Sequence, residues 1–134
     1  MQRILTHPEL NKNFFVFNDL NDTELEYAYF HSRALVFPSI VEGFGLPLVE
    51  AMQRQLPAMA SDIPVFKEVG GEFCAYFSLD DHQTLCDLII SFETTGIFPS
   101  RKKLDDYDWP GWEAATEHFI TTIEGHLEQT TNEI

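Results

Sequence analysis

The chain has 134 residues, 44% of them hydrophobic, and a formal net charge of −14. This length allows one domain with a sizeable core. The negative charge argues against nucleic acid or an anionic membrane as a direct partner, and no run approaches the ~18 apolar residues of a membrane span. Cys74 and Cys86 are interpreted as buried free thiols in a reducing cytoplasm, not as a disulfide or a metal site.

The hydrophobic pattern predicts an α/β fold built on a parallel sheet. Short apolar runs are predicted as strands near residues 14–17, 34–38, 57–61 and 74–77. Asn21 and Glu24 form a predicted capping box at the start of the helix after the first strand. Further helices are predicted over 81–92 and 111–128, separated by a loop at 94–111 rich in turn residues and charges.

The most informative segment follows the second predicted strand and reads Glu42-Gly43-Phe44-Gly45-Leu46-Pro47-Leu48-Val49-Glu50. Pro47 is predicted at the first position of a helix, where its missing N–H costs little. The free amides at that helix start, predicted from about Gly45 to Val49, together with the helix dipole favour an anion such as a diphosphate. Gly43 and Gly45 let the backbone come close to it.

The two glutamates of this segment can accept hydrogen bonds from sugar hydroxyls. We therefore expect Glu42 and Glu50 to line one cleft that holds a ligand about the size of a nucleotide-sugar. A glycine-flanked aromatic before a helix is also common in α/β proteins that bind nothing there. On local chemistry alone, the two interpretations are about equally supported.

The same segment carries a resemblance to a known family. Residues 38–52 closely resemble the E-x7-E signature of retaining GT-B glycosyltransferases, glycosyltransferase family 4. Further resemblance to that family is found at residues 15–25, 56–71 and 75–77, and at Trp112 with Ala114-Ala115. It implies a Rossmann-like sheet with flanking helices, with residues 1–134 forming a partial C-terminal, donor-binding domain. The N-terminal acceptor domain and the first βαβ unit are then expected to be absent.

The resemblance also implies roles for individual residues. Glu42 would contact hydroxyls of the donor sugar and is the expected catalytic residue, whereas Glu50 would bind the ribose hydroxyls. The backbone of residues 43–46 would face the sugar and the diphosphate, and Leu20 would touch the base through its backbone. The expected nucleotide-sugar-binding residues are therefore Leu20, Glu42, Gly43, Phe44, Gly45, Leu46 and Glu50.

As an enzyme, the complete protein is expected to move a sugar from a UDP- or GDP-linked donor to a saccharide or lipid-linked acceptor. The resemblance implies retention of configuration and no metal or other cofactor. It favours lipopolysaccharide or surface-polysaccharide biosynthesis in the cytoplasm, including the inner face of the cell membrane. This chain alone is expected to be inactive and to self-associate through a sheet that lacks strands.

Two alternatives belong to other classes: a non-catalytic nucleotide-sugar-binding module, and a structural fragment completed by a partner chain. Detectable sugar transfer by this chain alone would exclude both. Asp106-Tyr107-Asp108 also resembles the DxD metal motif of the other glycosyltransferase fold, but it precedes Trp109-Pro110 in a turn-like stretch and is interpreted as a solvated acidic loop. Gln55 stands where the family commonly has a helix-ending glycine, and Arg54 is interpreted as a solvated surface charge.

Overall fold

The computed structural model describes residues 2–131, without the side chains of residues 2, 3, 112 and 125–131. The helices are α1 (Gln2–Leu5), α2 (Asp22–His31), α3 (Leu46–Gln53), α4 (Pro64–Gly70), α5 (His82–Thr95) and α6 (Trp112–Thr131). The strands are β1 (Leu35–Phe37), β2 (Ala58–Ser61) and β3 (Ala75–Phe77), and a 3₁₀ turn covers Leu104–Asp106. The strands form one parallel sheet in the order β1-β2-β3, which confirms the predicted α/β class.

Helices cover both faces of this sheet. β2 is the central strand and all of its residues are buried, as expected when a parallel sheet carries helices on each side. α3 and α4 form the crossovers that parallel neighbours require, and they bury Leu48, Met52 and Phe66 completely. Met59 points to the other face, where it lies in a cluster packed by residues of α5.

The predicted strand near residues 14–17 is wrong. Apart from an isolated bridge between Leu10 and Phe14, this segment joins no ladder in the described chain. Phe15 and Phe17 are 54% and 67% exposed. A strand is stabilised by cross-strand pairs, and β1 is paired only with β2 within residues 2–131. The apolar composition of residues 14–17 predicted a strand, but it carries no information about whether a neighbouring strand is there to pair with it.

The sequence signals for helix starts predicted the structure better than the apolar run at 14–17 did. At the start of α2, the backbone N–H of Glu24 donates to Asn21 Oδ1 and the N–H of Asn21 donates to Glu24 Oε2, each at 3.0 Å, which confirms the capping box. α5 is capped by Asp81 and extends three residues beyond its predicted end, to Thr95. α6 begins at Trp112, whose side chain lies outside the described residues.

The stretch between α5 and α6 is more than a solvated loop. Leu104, Tyr107 and Trp109 pack against the main core cluster. The rings of Tyr107 and Phe73 meet edge to face at 5.2 Å, and burial raises the pKa of the Tyr107 hydroxyl to about 12. Among the side chains that the structure describes, no group of three His, Cys, Asp or Glu is placed to hold a metal ion.

α3 ends in a Schellman motif that needs a left-handed residue. Gln55 occupies that position with φ of 59°, which explains why a glycine is common there. The amides of Gln55 and Leu56 donate to the carbonyls of Met52 and Ala51 at 3.0 and 2.9 Å. The Gln55 side chain also donates to the carbonyl of Leu104 at 3.1 Å, a contact that glycine could not make.

The two cysteines lie in different environments. Cys74 is buried as predicted, and burial raises the pKa of its thiol to about 12. Cys86 is exposed on α5, so the prediction of a buried thiol is wrong there. Of the helices within residues 2–131, none has the length and apolar character needed to cross a bilayer.

Candidate functional site

The start of α3 forms a left-handed turn followed by a short, capped helix. Gly45 is the N-cap with φ of 88°, and Pro47 is the second helical residue instead of the first. The amides of Leu48 and Val49 donate to the carbonyl of Gly45 at 2.9 and 3.5 Å, so two of the amides predicted to be free are used. The amides of residues 43–46 donate to no protein acceptor within the described chain; residues 43, 44 and 46 are exposed, whereas Gly45 is buried.

Gly45 is required by packing as well as by its backbone angle. A Cβ at this position would lie 2.6 Å from Cε1 of Phe66, which is completely buried. Phe66 in turn contacts Phe37 at the end of β1, with ring centroids 5.0 Å apart. Gly43 differs, because a Cβ there would meet nothing within 4 Å. The fold therefore explains the glycine at 45 and leaves the one at 43 unexplained by packing.

Glu42 is half-buried and is supported through the loop that carries it. The hydroxyl of Ser39 lies 3.0 Å from Glu42 Oε1 and 3.2 Å from the carbonyl of Val41, and its single proton can serve one acceptor at a time. Ser61, completely buried at the end of β2, donates from Oγ to the carbonyl of Ser39. This bond ties the Glu42 loop to the central strand.

Glu50 is supported by different residues. The hydroxyl of Tyr29 on α2 donates to Glu50 Oε2 at 3.1 Å. Arg54 donates from Nη1 to the carbonyl of Glu50 at 3.0 Å, and its guanidinium carbon lies 5.1 Å from the centre of the Tyr29 ring. The Arg54 side chain is only 29% exposed, so its interpretation as a solvated surface charge is wrong.

The pKa of Tyr29 reflects its burial beside the Glu50 carboxylate, which outweighs the opposite effect of Arg54. Burial, followed by the hydrogen bond and the charge of Glu50, raises the pKa of the Tyr29 hydroxyl to about 12. At neutral pH, Tyr29 therefore remains a proton donor to the Glu50 carboxylate. The bond from Tyr29 is not visible in the local sequence pattern, because Tyr29 and Glu50 are 21 positions apart, and the same holds for the contact between Arg54 and the Tyr29 ring.

A cavity of about 580 Å³ opens along the side of α3, from Leu46 to Gln53. Its lining residues are Phe44, Leu46, Val49, Glu50, Gln53, Trp109, Pro110, Gly111 and Ala115. Phe44 meets Trp109 edge to face at 5.5 Å, so the stretch before α6 forms one wall. Trp109 has no predicted role from sequence, although a large aromatic residue within a charged stretch is a signal that could have indicated one.

This cavity brings together only some of the predicted site residues. Phe44, Leu46 and Glu50 line it, whereas Glu42 is not part of its lining. Leu20 is 40% exposed and precedes the cap of α2. A single cleft shared by Glu42 and Glu50 therefore stays a prediction.

The parallel sheet, with an open helix start flanked by carboxylates, defines an α/β protein of the Rossmann-like type. A profile of the family described as glycosyl transferases group 1 matches residues 1–108. The chain belongs to this family. Comparison with solved structures finds no significant match.

The chain is similar in sequence to three curated proteins of the same kind. It is 37% identical over 126 residues to the serotype-specific mannosyltransferase WbdA of Escherichia coli, covering 91% of this chain and 15% of that protein. It is 37% identical over 93 residues to the O-antigen chain mannosyltransferase RfbU of Salmonella typhimurium, covering 69% of this chain and 26% of that protein. The O-antigen biosynthesis glycosyltransferase WclY of Escherichia coli is 35% identical over 75 residues, covering 54% and 21%. The chain thus spans about a quarter or less of each relative.

The two glycines of the motif should respond differently to the same substitution. Gly45→Ala adds a Cβ against Phe66 at positive φ and should lower the free energy of unfolding by about 2–5 kcal/mol. Gly43→Ala is the matched control and should change it by less than about 0.5 kcal/mol, since open space surrounds that position. Urea denaturation of both variants measures the difference. Equal losses would contradict the packing role of Gly45.

Proposed function

We propose that this chain is the donor-binding part of a retaining, metal-independent glycosyltransferase that moves a sugar from a nucleotide-sugar to an acceptor. One observation carries the proposal: the amides of residues 43–46, just before α3 and at its first residue, donate to no protein acceptor in the described chain, and Glu42 and Glu50 stand on either side of them in sequence. Family membership and the named activities of the relatives support it.

The unbonded amides suit a diphosphate. They present N–H donors at the positive end of the helix dipole, and a chain with a net charge of −14 has few spare cations for this purpose. The dipole contributes only ~0.3–1 kcal/mol, whereas micromolar binding needs ~8 kcal/mol. The dipole therefore orients the diphosphate, and hydrogen bonds to sugar, ribose and base must supply most of the affinity.

The carboxylates suit the two sugars of the donor. Glu42 would accept hydrogen bonds from hydroxyls of the transferred sugar, and Glu50 from the ribose. During transfer, the bond between the anomeric carbon and the phosphate oxygen breaks, and the acceptor oxygen bonds to that carbon on the same face. The acceptor's proton passes to the departing phosphate oxygen, and the backbone amides stabilise the negative charge that develops on the diphosphate.

The names of the relatives support a more specific proposal for the donor sugar and the acceptor. Two of them are named mannosyltransferases and three are tied by name to a serotype or to O-antigen. We propose mannose as the transferred sugar, a UDP- or GDP-linked donor, and a growing surface saccharide or its lipid-linked form as the acceptor. The acceptor would be held by a separate N-terminal domain, and the reaction would occur in the cytoplasm or at the inner face of the cell membrane.

A calorimetric screen tests the donor assignment. GDP-mannose, UDP-hexoses and ADP-glucose are titrated into the chain, and one nucleotide class should bind more tightly than the others. Binding without transfer by the complete protein would favour a non-catalytic nucleotide-sugar-binding module. No binding and no transfer would favour a structural fragment completed by a partner chain.

The two glutamates should affect different steps in the complete transferase. Glu42→Ala should lower kcat by roughly 100-fold with little change in nucleotide affinity, because contacts to the transferred sugar strengthen as charge develops. Glu50→Ala should mainly weaken nucleotide binding, by about tenfold, because ribose contacts stay uniform through the reaction. Glu117→Ala, on the exposed face of α6, is the control. Equal losses of affinity in the two variants, with unchanged kcat, would refute these roles.

Transfer should not require a metal ion. The unbonded amides take the place of a cation at the diphosphate, so dialysis against EDTA should leave the initial rate of the complete transferase unchanged. Radiolabelled sugar incorporation measures the rate before and after chelation. Loss of activity that manganese restores would point to Asp106 and Asp108 as metal ligands.

The isolated chain should be inactive and should self-associate. Phe15 and Phe17 are more than half exposed, and β1 pairs with no strand on its outer edge within the described residues. Sedimentation should show a dimer or larger species that Phe17→Ser shifts towards monomer. Ile97→Ser, at an equally exposed position after α5, should leave the distribution unchanged. A stable monomer at high micromolar concentration would contradict this expectation.

A further inference from the structure

Tyr29 connects the helix before the sheet to the second glutamate of the motif. It lies on α2, is 8% exposed, and belongs to a small buried cluster with Ala51 and Leu56. Its ring is therefore fixed by packing, and only its hydroxyl reaches Glu50, at 3.1 Å from Oε2. A buried ring that directs one hydroxyl onto a carboxylate restricts the side-chain positions that this carboxylate can adopt.

Arg54 supports this arrangement without neutralising the carboxylate directly. Its Nη1 bonds to the backbone carbonyl of Glu50, and its guanidinium covers the ring of Tyr29. Its Nε lies 3.7 Å from Glu26 Oε1. Among the described residues, Tyr29 is the one side chain that donates a hydrogen bond to the Glu50 carboxylate. No described side chain donates to Oε1, and Glu50 lines the cavity along the side of α3.

We propose that Tyr29 is a positioning residue for the nucleotide: by holding Oε2 of Glu50, it orients Oε1 to accept a hydrogen bond from a ribose hydroxyl, and so sets a preference for ribonucleotides over deoxyribonucleotides. This inference rests on the proposed function of Glu50 as a ribose ligand. The elevated pKa of Tyr29, about 12, keeps its hydroxyl protonated throughout the neutral range.

The expected effect follows from the geometry. Without the Tyr29 hydroxyl, the Glu50 side chain must lose more rotational freedom when it binds the ribose, so affinity falls. A nucleotide that lacks the contacted hydroxyl does not use this orientation and should be almost unaffected. Loss of the Tyr29 hydroxyl should therefore reduce discrimination between sugars and leave the general affinity for the diphosphate intact.

The test compares Tyr29→Phe with the wild-type 134-residue chain. Calorimetry measures binding of GDP and UDP and of their 2′-deoxy and 3′-deoxy analogues. In Tyr29→Phe, the affinity for the ribonucleotide should fall by about three- to tenfold, a loss on the scale of one hydrogen bond. The affinity for one of the deoxy analogues should stay the same within about twofold. Tyr27→Phe removes an exposed hydroxyl from the same helix and should bind like wild type.

The possible outcomes distinguish failure of the positioning role of Tyr29 from failure of nucleotide binding itself. Wild-type discrimination that is unchanged in Tyr29→Phe would overturn the positioning role and leave donor binding in place. A wild-type chain that binds no nucleotide would overturn the donor site itself. Wild type also provides a readout that does not depend on the variant's folding. The carbon-13 resonance of Tyr29 Cζ should shift with GDP and less with the deoxy analogue, and equal shifts would contradict the inference.

Discussion

The contact between Gly45 and Phe66 is the constraint on which the arrangement of this chain depends. The absence of a side chain at Gly45 lets the turn before α3 rest directly on a ring that is itself buried against Phe37. β1, α3 and α4 therefore meet at one point, at the carboxyl end of the sheet. That meeting point fixes both the direction of α3 and the position of the unbonded amides at its start.

The two motif glutamates are supported independently. Glu42 is linked through Ser39 to Ser61 at the end of the central strand, whereas Glu50 is linked to α2 through Tyr29. The two supports share no side chain. Substitutions on one side should therefore add to those on the other instead of coupling with them. Such separation suits a ligand with two chemically distinct sugars, since contacts to each can change without disturbing the other.

The sequence predicted what depends on local signals. The three paired strands, the capping box at Asn21 and the helix after Gly45 follow from apolar runs, caps and glycine or proline positions. The segment at 14–17 failed because strand formation depends on a partner that no local pattern specifies. Tyr29 was missed as a support of Glu50 because its contact joins separate elements. Arg54 bonds to Glu50 only four positions away, but it was interpreted as a surface charge, since its contact with the Tyr29 ring also joins separate elements. Trp109 was missed because the charged residues around it predicted a solvated loop, whereas its ring packs against the core.

The two cysteines have a practical consequence. The thiol of Cys74 is buried and, with a pKa near 12, contains almost no thiolate at neutral pH, whereas Cys86 is exposed on α5. A maleimide should therefore attach at Cys86 alone, without engineering of the chain. Since α5 and α3 pack on opposite faces of the sheet, a fluorophore at Cys86 would stand clear of the motif. The native chain thus offers one site, Cys86, for attaching a fluorophore.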